Sequence, residues 1–190
     1  MNSERDLVIE FDPSTFADIL VATHLCEVEI SGLAKVERDG RKFRVFDGAI
    51  VVNQKCSLFR TEPDTEALNL WFHNIALTGN EEQIQNMESQ SLWWHSHVKS
   101  SVDFSGQDFR TMRILLSMFK QWWLVLVTNQ QNQSRLALIE KNDGHLKYEE
   151  APLGFNPEIT SEEFRALCRS KVHAIRRLIN ERVIVIRNRE

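Results

Sequence analysis

The sequence has few cysteines, no long apolar run and no excess of positive charge, and each shortage argues against a class of protein. Cys26, Cys56 and Cys168 are odd in number, lie far apart and form no Cys-x-x-Cys pair. Neither a disulfide framework nor a thiolate zinc site is therefore expected, and a reduced, cytoplasmic environment is the simplest expectation. The charged N-terminus lacks the apolar core of a signal peptide, and no run approaches the ~18 residues of a membrane helix.

The charge and the length fit an ordinary globular domain. Lys and Arg number 23 against 27 Asp and Glu, which gives a formal net charge of −4. A surface of this charge is not that of a dedicated nucleic-acid binder. Because the 190 residues contain no repeat, low-complexity tract or obvious linker, we expect a single domain over residues 1–190.

The first third of the chain shows clear signals for strands and helices. Residues 6–11 are expected to form a short strand. Asp12 can cap a helix that follows, and Pro13 suits the first helical position. Apolar and polar residues alternate on both sides of Asp39-Gly40, a dipeptide typical of hairpin turns.

The later segments complete a mixed α/β (α+β) domain, with a mixed β-sheet flanked by helices. A second helix is expected over 63–77, and the polar residues 78–90 are expected to be loop or frayed helix. The further expected elements are strand 91–97, helix 105–119, strands 122–129, 135–142 and 145–150, and a C-terminal helix over 160–181. A capping box from Thr160 to Glu163 opens that last helix. The tail, residues 182–190, could be a strand or a helical extension.

The residues with the strongest chemical signal are two histidines one residue apart, His95 and His97. Side chains alternate along a strand, so both point to the same side and can reach one metal ion. Ser105 stands at the N-cap of the next helix, with Asp108 on its first turn. These two alone are typical of a plain helix cap. With the histidines, they predict a site with three protein ligands and a fourth position for water, as in catalytic zinc sites.

This pattern resembles a known family signature. His95-Ser-His97, seven residues, Ser105, two residues and Asp108 match the HxHx7SxxD motif of the JAMM (MPN+) zinc metalloproteases. The order of expected elements also matches that family over about residues 7–142. The C-terminal helix and tail, about 160–190, lie outside the match.

The family also has an upstream glutamate in a Glu-x-x-Gly-Leu setting, which Glu29, Gly32 and Leu33 reproduce. Glu27 competes for the same role, because alternation puts it on the same face as Glu29. The Gly-Leu context favours Glu29. One departure is Val98, which stands where many members have proline after the second histidine, and proline is not a metal ligand.

The resemblance implies an MPN/JAMM (cytidine-deaminase-like) fold and a compact prokaryotic- or viral-type member. It implies Zn²⁺ held by His95, His97 and Asp108, with Glu29 as general base and Ser105 as the oxyanion donor. The implied activity is that of an isopeptidase, or deubiquitinase-like metalloprotease. Such an enzyme cuts the amide bond between the C-terminus of a ubiquitin or ubiquitin-like protein and its target.

The implied partners are ubiquitin or a ubiquitin-like protein and its conjugates, with E1/E2-like enzymes as further candidates, and neither nucleic acid nor membrane. The family inserts substrate-guiding elements where residues 54–90 lie, and Trp71 and Phe72 within them are expected to pack in a core. Two alternatives stay open. One is a JAMM metallopeptidase on a phage tail protein or a sulfur-carrier fusion, and the other is a non-catalytic MPN scaffold.

Overall fold

An eight-stranded mixed sheet forms the centre of the protein, and a three-stranded sheet lies beside it. The computed structural model describes residues 6–57, 60–64, 73–75, 77–98, 101–117, 121–142 and 145–186. The strands are β1 (Val8–Phe11), β2 (Ser31–Asp39), β3 (Lys42–Val51), β4 (Gln54–Ser57), β5 (Arg60–Pro63), β6 (Gln90–His97), β7 (Trp122–Asn129), β8 (Ser134–Asn142), β9 (His145–Ala151), β10 (Leu153–Phe155) and β11 (Val183–Val185). The helices are α1 (Pro13–Leu25), α2 (Glu81–Ser89), α3 (Gly106–Ser117) and α4 (Ser161–Arg182).

The large sheet has the order β10-β1-β3-β2-β6-β7-β8-β9, and the small sheet has the order β11-β4-β5. Strand β6 pairs antiparallel with β2 and parallel with β7. The mixed sheet with flanking helices confirms the expected α/β (α+β) class. None of the described helices is long and apolar enough to span a membrane.

The two faces of the large sheet carry separate apolar clusters. Trp94 of β6 packs in one cluster with Ile19 of α1 and Ile175 of α4. Trp93 belongs to the other cluster, with Met112 of α3. Because side chains alternate along β6, His95 and His97 share the face of Trp93 and of α3.

Several local predictions are confirmed. The Asp12 side chain accepts hydrogen bonds from the first turn of α1, which begins at Pro13. Gly40 adopts a φ of 60° in the turn between β2 and β3, a conformation that glycine tolerates best. The Thr160 capping box opens α4, and residues 183–185 of the tail form strand β11, paired in parallel with β4.

Of the loop or frayed helix expected over 78–90, residues 81–89 form helix α2, because Asn80 and Gln83 make a complete capping box around a polar but continuous helix. One prediction is wrong. The second helix does not begin at Pro63, which ends strand β5 opposite Gln54. Proline is tolerated at the end of an edge strand. Residues 73–75 and 77 are helical, and Trp71 and Phe72 lie outside the described residues.

Candidate metal centre

Strand β6 brings the two histidines together in a buried position. His95 is 1% exposed and His97 is 7% exposed. Their Nε2 atoms lie 3.2 Å apart. The indole of Trp93 stacks on the His95 ring, with 4.4 Å between centroids and 17° between planes. The one-sided placement predicted from strand alternation is therefore present.

Helix α3 adds the carboxylate. Ser105 precedes its first turn, where its main-chain N–H donates to Asp108 Oδ2 at 2.6 Å and its Oγ accepts from the Asp108 N–H at 3.2 Å. This reciprocal cap fixes the carboxylate over the end of β6. Asp108 Oδ1 lies 2.9 Å from His95 Nε2, and Oδ2 lies 3.6 Å from His97 Nε2. The hydrogen bonds that cap α3 thus also hold the Asp108 carboxylate next to the two histidines.

The three side chains fit a metal ion. Each offers one ligand atom, and these atoms lie within 4.8 Å of one another. Two imidazole nitrogens and one carboxylate oxygen are a donor set that zinc and other divalent metals accept. His95 Nδ1 is buried and has no hydrogen-bond partner among the described residues.

Glu29 reaches the same place from the neighbouring strand. Ser31 pairs with His95, and the main-chain N–H of Ser96 donates to the Ile30 carbonyl at 2.8 Å. Glu29 lies two residues before Ser31, so a continuation of this antiparallel register puts it across from His97 on the same face. It lines a cavity of about 290 Å³ together with the ligands and Ser105. The competing Glu27 is exposed and does not line this cavity.

Burial and neighbouring charges determine the protonation states of Glu29, Asp108 and His95. Burial raises the pKa of Glu29 to about 7, while the nearby His97 opposes this rise and the Asp108 carboxylate adds to it. Burial would also raise the pKa of Asp108, but hydrogen bonds from His95 and His97 outweigh it and hold that pKa well below its usual range. Burial lowers the pKa of His95. An ionised carboxylate beside a neutral imidazole is the state that metal ligation requires.

The pKa of His97 is shifted upward, opposite to that of His95. Burial alone would lower its pKa, but bonds to Asp108 and to the Ser101 carbonyl, with the charge of Glu29, raise it. A cation at this position is therefore favoured by the two carboxylates that face it. A proton or a metal ion can supply that charge.

Several residues of the cavity carry no recognisable signal in the sequence. Thr61 enters from β5, and Asp103, Gln107 and Thr111 enter from the loop and first turns around α3. The contact of Ser101 with His97 is made by its main-chain carbonyl oxygen, which any residue type could supply. The position of Thr61 depends on how β5 folds back beside β2, which no local pattern in the sequence reveals.

Comparisons with known proteins give little further information. No protein-family model matches the chain, and no curated protein matches it. A similar solved structure is the solution structure of protein DSY2949 from Desulfitobacterium hafniense, with 13% identity, 83% of this chain and 98% of that chain covered, and a TM-score of 0.47. A likeness at this level supports no statement about function, which must come from the chemistry of the site.

Proposed function

We propose that the protein is a zinc metalloprotease of the JAMM (MPN+) type and fold. In this proposal it cleaves the amide bond between a ubiquitin or ubiquitin-like C-terminus and its target. The single observation that carries the proposal is the convergence of Glu29 with the buried metal-ligand group on one cavity. Glu29 is separated from that group by more than sixty residues of sequence, so a helix cap or a packing motif does not account for the convergence.

The metal ligands in this proposal are His95, His97 and Asp108. Zinc held by three protein ligands lowers the pKa of a bound water to about 7 and polarises a carbonyl group. Glu29 stands beside this position as a general base that takes a proton from the water. Its pKa of about 7 lets it bind that proton and return it to the leaving amine at neutral pH.

Ser105 is suited to stabilise the oxyanion. Its Oγ already accepts the N–H of Asp108 at 3.2 Å, so its own proton is free to donate into the cavity. A donor aimed at developing negative charge is typically worth about 3–4 kcal/mol in the transition state. None of this chemistry uses a thiol, and burial raises the pKa of Cys26 to about 12 and that of Cys56 to about 11. Both cysteines are therefore assigned to packing.

An extended substrate tail has a place to bind. Strand β5 is the last strand of the small sheet, and no described strand pairs with its outer edge. Thr61 of this strand lines the metal cavity. A modifier tail that adds to β5 by main-chain hydrogen bonds would thread its terminal residues, small glycines above all, toward the ligands.

The test combines metal analysis with a defined substrate. Zinc-loaded protein is incubated with a peptide whose lysine ε-amino group carries the Gly-Gly tail of a ubiquitin-like protein, and release of the tail is followed by mass spectrometry. Zinc-dependent cleavage supports the proposal. Zinc binding with no cleavage of the isopeptide bond would favour a metallopeptidase with another substrate, and failure to bind zinc would favour a non-catalytic scaffold.

The natural substrate can be sought with a variant that binds without turnover. Zinc-loaded Glu29→Gln protein is used to capture partners from a cell lysate, and the bound proteins are identified by mass spectrometry. Recovery of a small protein with a di-glycine tail, or of its conjugates, would identify the modifier. Recovery of large assembly proteins without any such modifier would contradict the isopeptidase proposal.

A further inference from the structure

A buried amide joins the small sheet to strand β2, next to Glu29. Gln54 is 2% exposed. Its Nε2 donates to the main-chain oxygens of Ser31 and Val52, both at 2.8 Å, and its Oε1 accepts from the Ser31 N–H at 2.7 Å. In the opposite orientation, the NH₂ group of Gln54 would face the Ser31 N–H, which is also a donor. The amide oxygen would then face the carbonyl oxygens of Ser31 and Val52, which are also acceptors. The surrounding main chain therefore fixes which end of the Gln54 amide is the acceptor.

That acceptor determines the direction of the Thr61 hydroxyl. Thr61 Oγ1 lies 2.6 Å from Gln54 Oε1, and since a carbonyl oxygen carries no proton, the hydroxyl must donate. Ser31 Oγ lies 3.4 Å and Cys56 Sγ lies 3.7 Å from Thr61 Oγ1. Gln54 Oε1 already accepts from the Ser31 N–H and from the Thr61 hydroxyl, so both of its lone pairs are used. The 3.4 Å between Ser31 Oγ and Thr61 Oγ1 is too long for a well-formed O–H···O bond, so even with the Cys56 thiol as a donor the Thr61 oxygen keeps one lone pair that can accept a further hydrogen bond.

Thr61 and Ser105 line the same cavity with opposite hydrogen-bonding character. The Ser105 oxygen accepts from the Asp108 main chain, which leaves its proton free to donate. The Thr61 proton is used by Gln54, which leaves its oxygen free to accept. The cavity thus presents a donor hydroxyl at the start of α3 and an acceptor hydroxyl on β5.

We propose that the Thr61 hydroxyl accepts a hydrogen bond from an N–H group of the ligand bound at the metal, while Ser105 donates to the carbonyl oxygen of that ligand. The ligand class is one with adjacent C=O and N–H groups, as in a secondary amide. Thr61 is a specificity-determining residue, and Gln54 is the positioning residue that holds its proton. This inference rests on the metallopeptidase function proposed above, and it deepens that function by assigning the contact for the substrate N–H.

Two small metal-binding acids test this assignment without requiring turnover. Acetohydroxamic acid has an N–H beside its carbonyl group, and N-methylacetohydroxamic acid has a methyl group in its place. Each is titrated into zinc-loaded protein by calorimetry. The wild-type protein is expected to bind the N–H compound about 2- to 12-fold more tightly, the usual net worth of one hydrogen bond.

Variants at Thr61 supply the matched control. Thr61→Val keeps the side-chain shape and removes the acceptor, so it should bind both compounds equally. Thr61→Ser restores the hydroxyl and should restore the preference. A change that is merely structural would weaken both compounds together. The inference is overturned if the wild type shows no preference for the N–H compound or if the valine variant keeps it.

The outcome separates this inference from the proposed function. A protein that shows the Thr61-dependent preference but cleaves no isopeptide bond retains the inference and loses the proposed activity. A protein that cleaves the isopeptide bond with no dependence on Thr61 loses the inference alone. Failure of the wild-type chain to bind zinc overturns both.

Discussion

His97 donates its Nδ1–H to the main-chain carbonyl of Ser101 over 2.7 Å. A carbonyl oxygen can only accept, so this bond fixes the neutral tautomer of His97 with its lone pair on Nε2. That nitrogen faces His95 and Asp108. The loop after β6 therefore orients the His97 imidazole through its backbone, an arrangement that is common for metal-binding histidines.

Loss of His97 should abolish metal binding. His97→Ala leaves one imidazole and one carboxylate, too few protein ligands for a stable zinc site. The measurement is zinc content per chain after dialysis, by atomic emission. His24→Ala is the control, because His24 is an exposed histidine that bonds Asn132 instead. One zinc ion per chain in the His97 variant would refute the ligand assignment.

Glu29→Gln should keep zinc and lose turnover. The amide retains the size of the side chain but cannot take a proton from water, and positioned general bases contribute about 10²–10⁴ in rate. The variant is assayed for isopeptide cleavage and for zinc content together. Glu27→Gln, on the exposed neighbour, should cleave at the wild-type rate. The assignment of the base reverses if the Glu27 variant is the inactive one.

Ser105→Ala should lower kcat about 10²–10³-fold by removing the oxyanion donor. It also removes the cap of α3 and should cost about 1 kcal/mol of stability. Ser105→Thr keeps both the hydroxyl and the cap, so it should recover much of each. Stopped-flow or discontinuous assays give kcat, and urea unfolding gives stability. A variant that loses stability but keeps kcat would limit Ser105 to its capping role.

Gly32 should be intolerant of any side chain. A Cβ there would lie 2.1 Å from the Ile50 carbonyl oxygen and 2.5 Å from the Trp94 ring, so the central strands would have to separate. Gly32→Ala should be strongly destabilising in urea unfolding. Gly106→Ala is the matched control, since a Cβ there meets nothing within 4 Å. In the first turn of α3 it should stabilise by about 0.5–1 kcal/mol. Equal effects of the two substitutions would contradict this packing.

Asp18 should make stability depend on pH. Burial raises its pKa above the usual value, although Lys171, whose Nζ lies 3.1 Å from Oδ1, opposes the rise. A carboxyl whose folded pKa is raised stabilises the fold below its unfolded pKa, and that contribution is lost as pH rises through the folded pKa. The stability of Asp18→Asn relative to wild type should therefore increase as pH rises above the ordinary pKa of an aspartate, about 4. A difference that stays flat, or falls, would contradict this.

The local elements of the fold could be predicted from the sequence, whereas the site could be predicted only in part. Period-two alternation put His95 and His97 on one face, and the caps at Asp12 and Thr160 located two helices, because these are local properties of the chain. The choice of Glu29 over Glu27 rested on a family resemblance, and the structure brings Glu29 to the cavity lined by the candidate ligands His95, His97 and Asp108.

Other features depend on distant partners. The contribution of Thr61 depends on a hydrogen bond to Gln54 and on the fold of the small sheet. The polar segment before β6 fitted either loop or frayed helix because its apolar residues are few, and the reciprocal bonds of Asn80 and Gln83 make residues 81–89 helix α2. Pro63 read as a helix start because proline is common in both the first helical turn and the last residue of an edge strand.

Because side chains alternate along β6, the candidate metal site can form only when the central strands pair in the correct register. His95 and His97 face α3, while Trp94 lies in the core on the opposite face and Ser96 Oγ accepts the Ile30 N–H there. A slip of one residue between β6 and its neighbours would exchange the two sets and turn both imidazoles into the apolar core beneath α1. Tight metal uptake by the refolded chain would thus count only the molecules whose central strands have paired correctly.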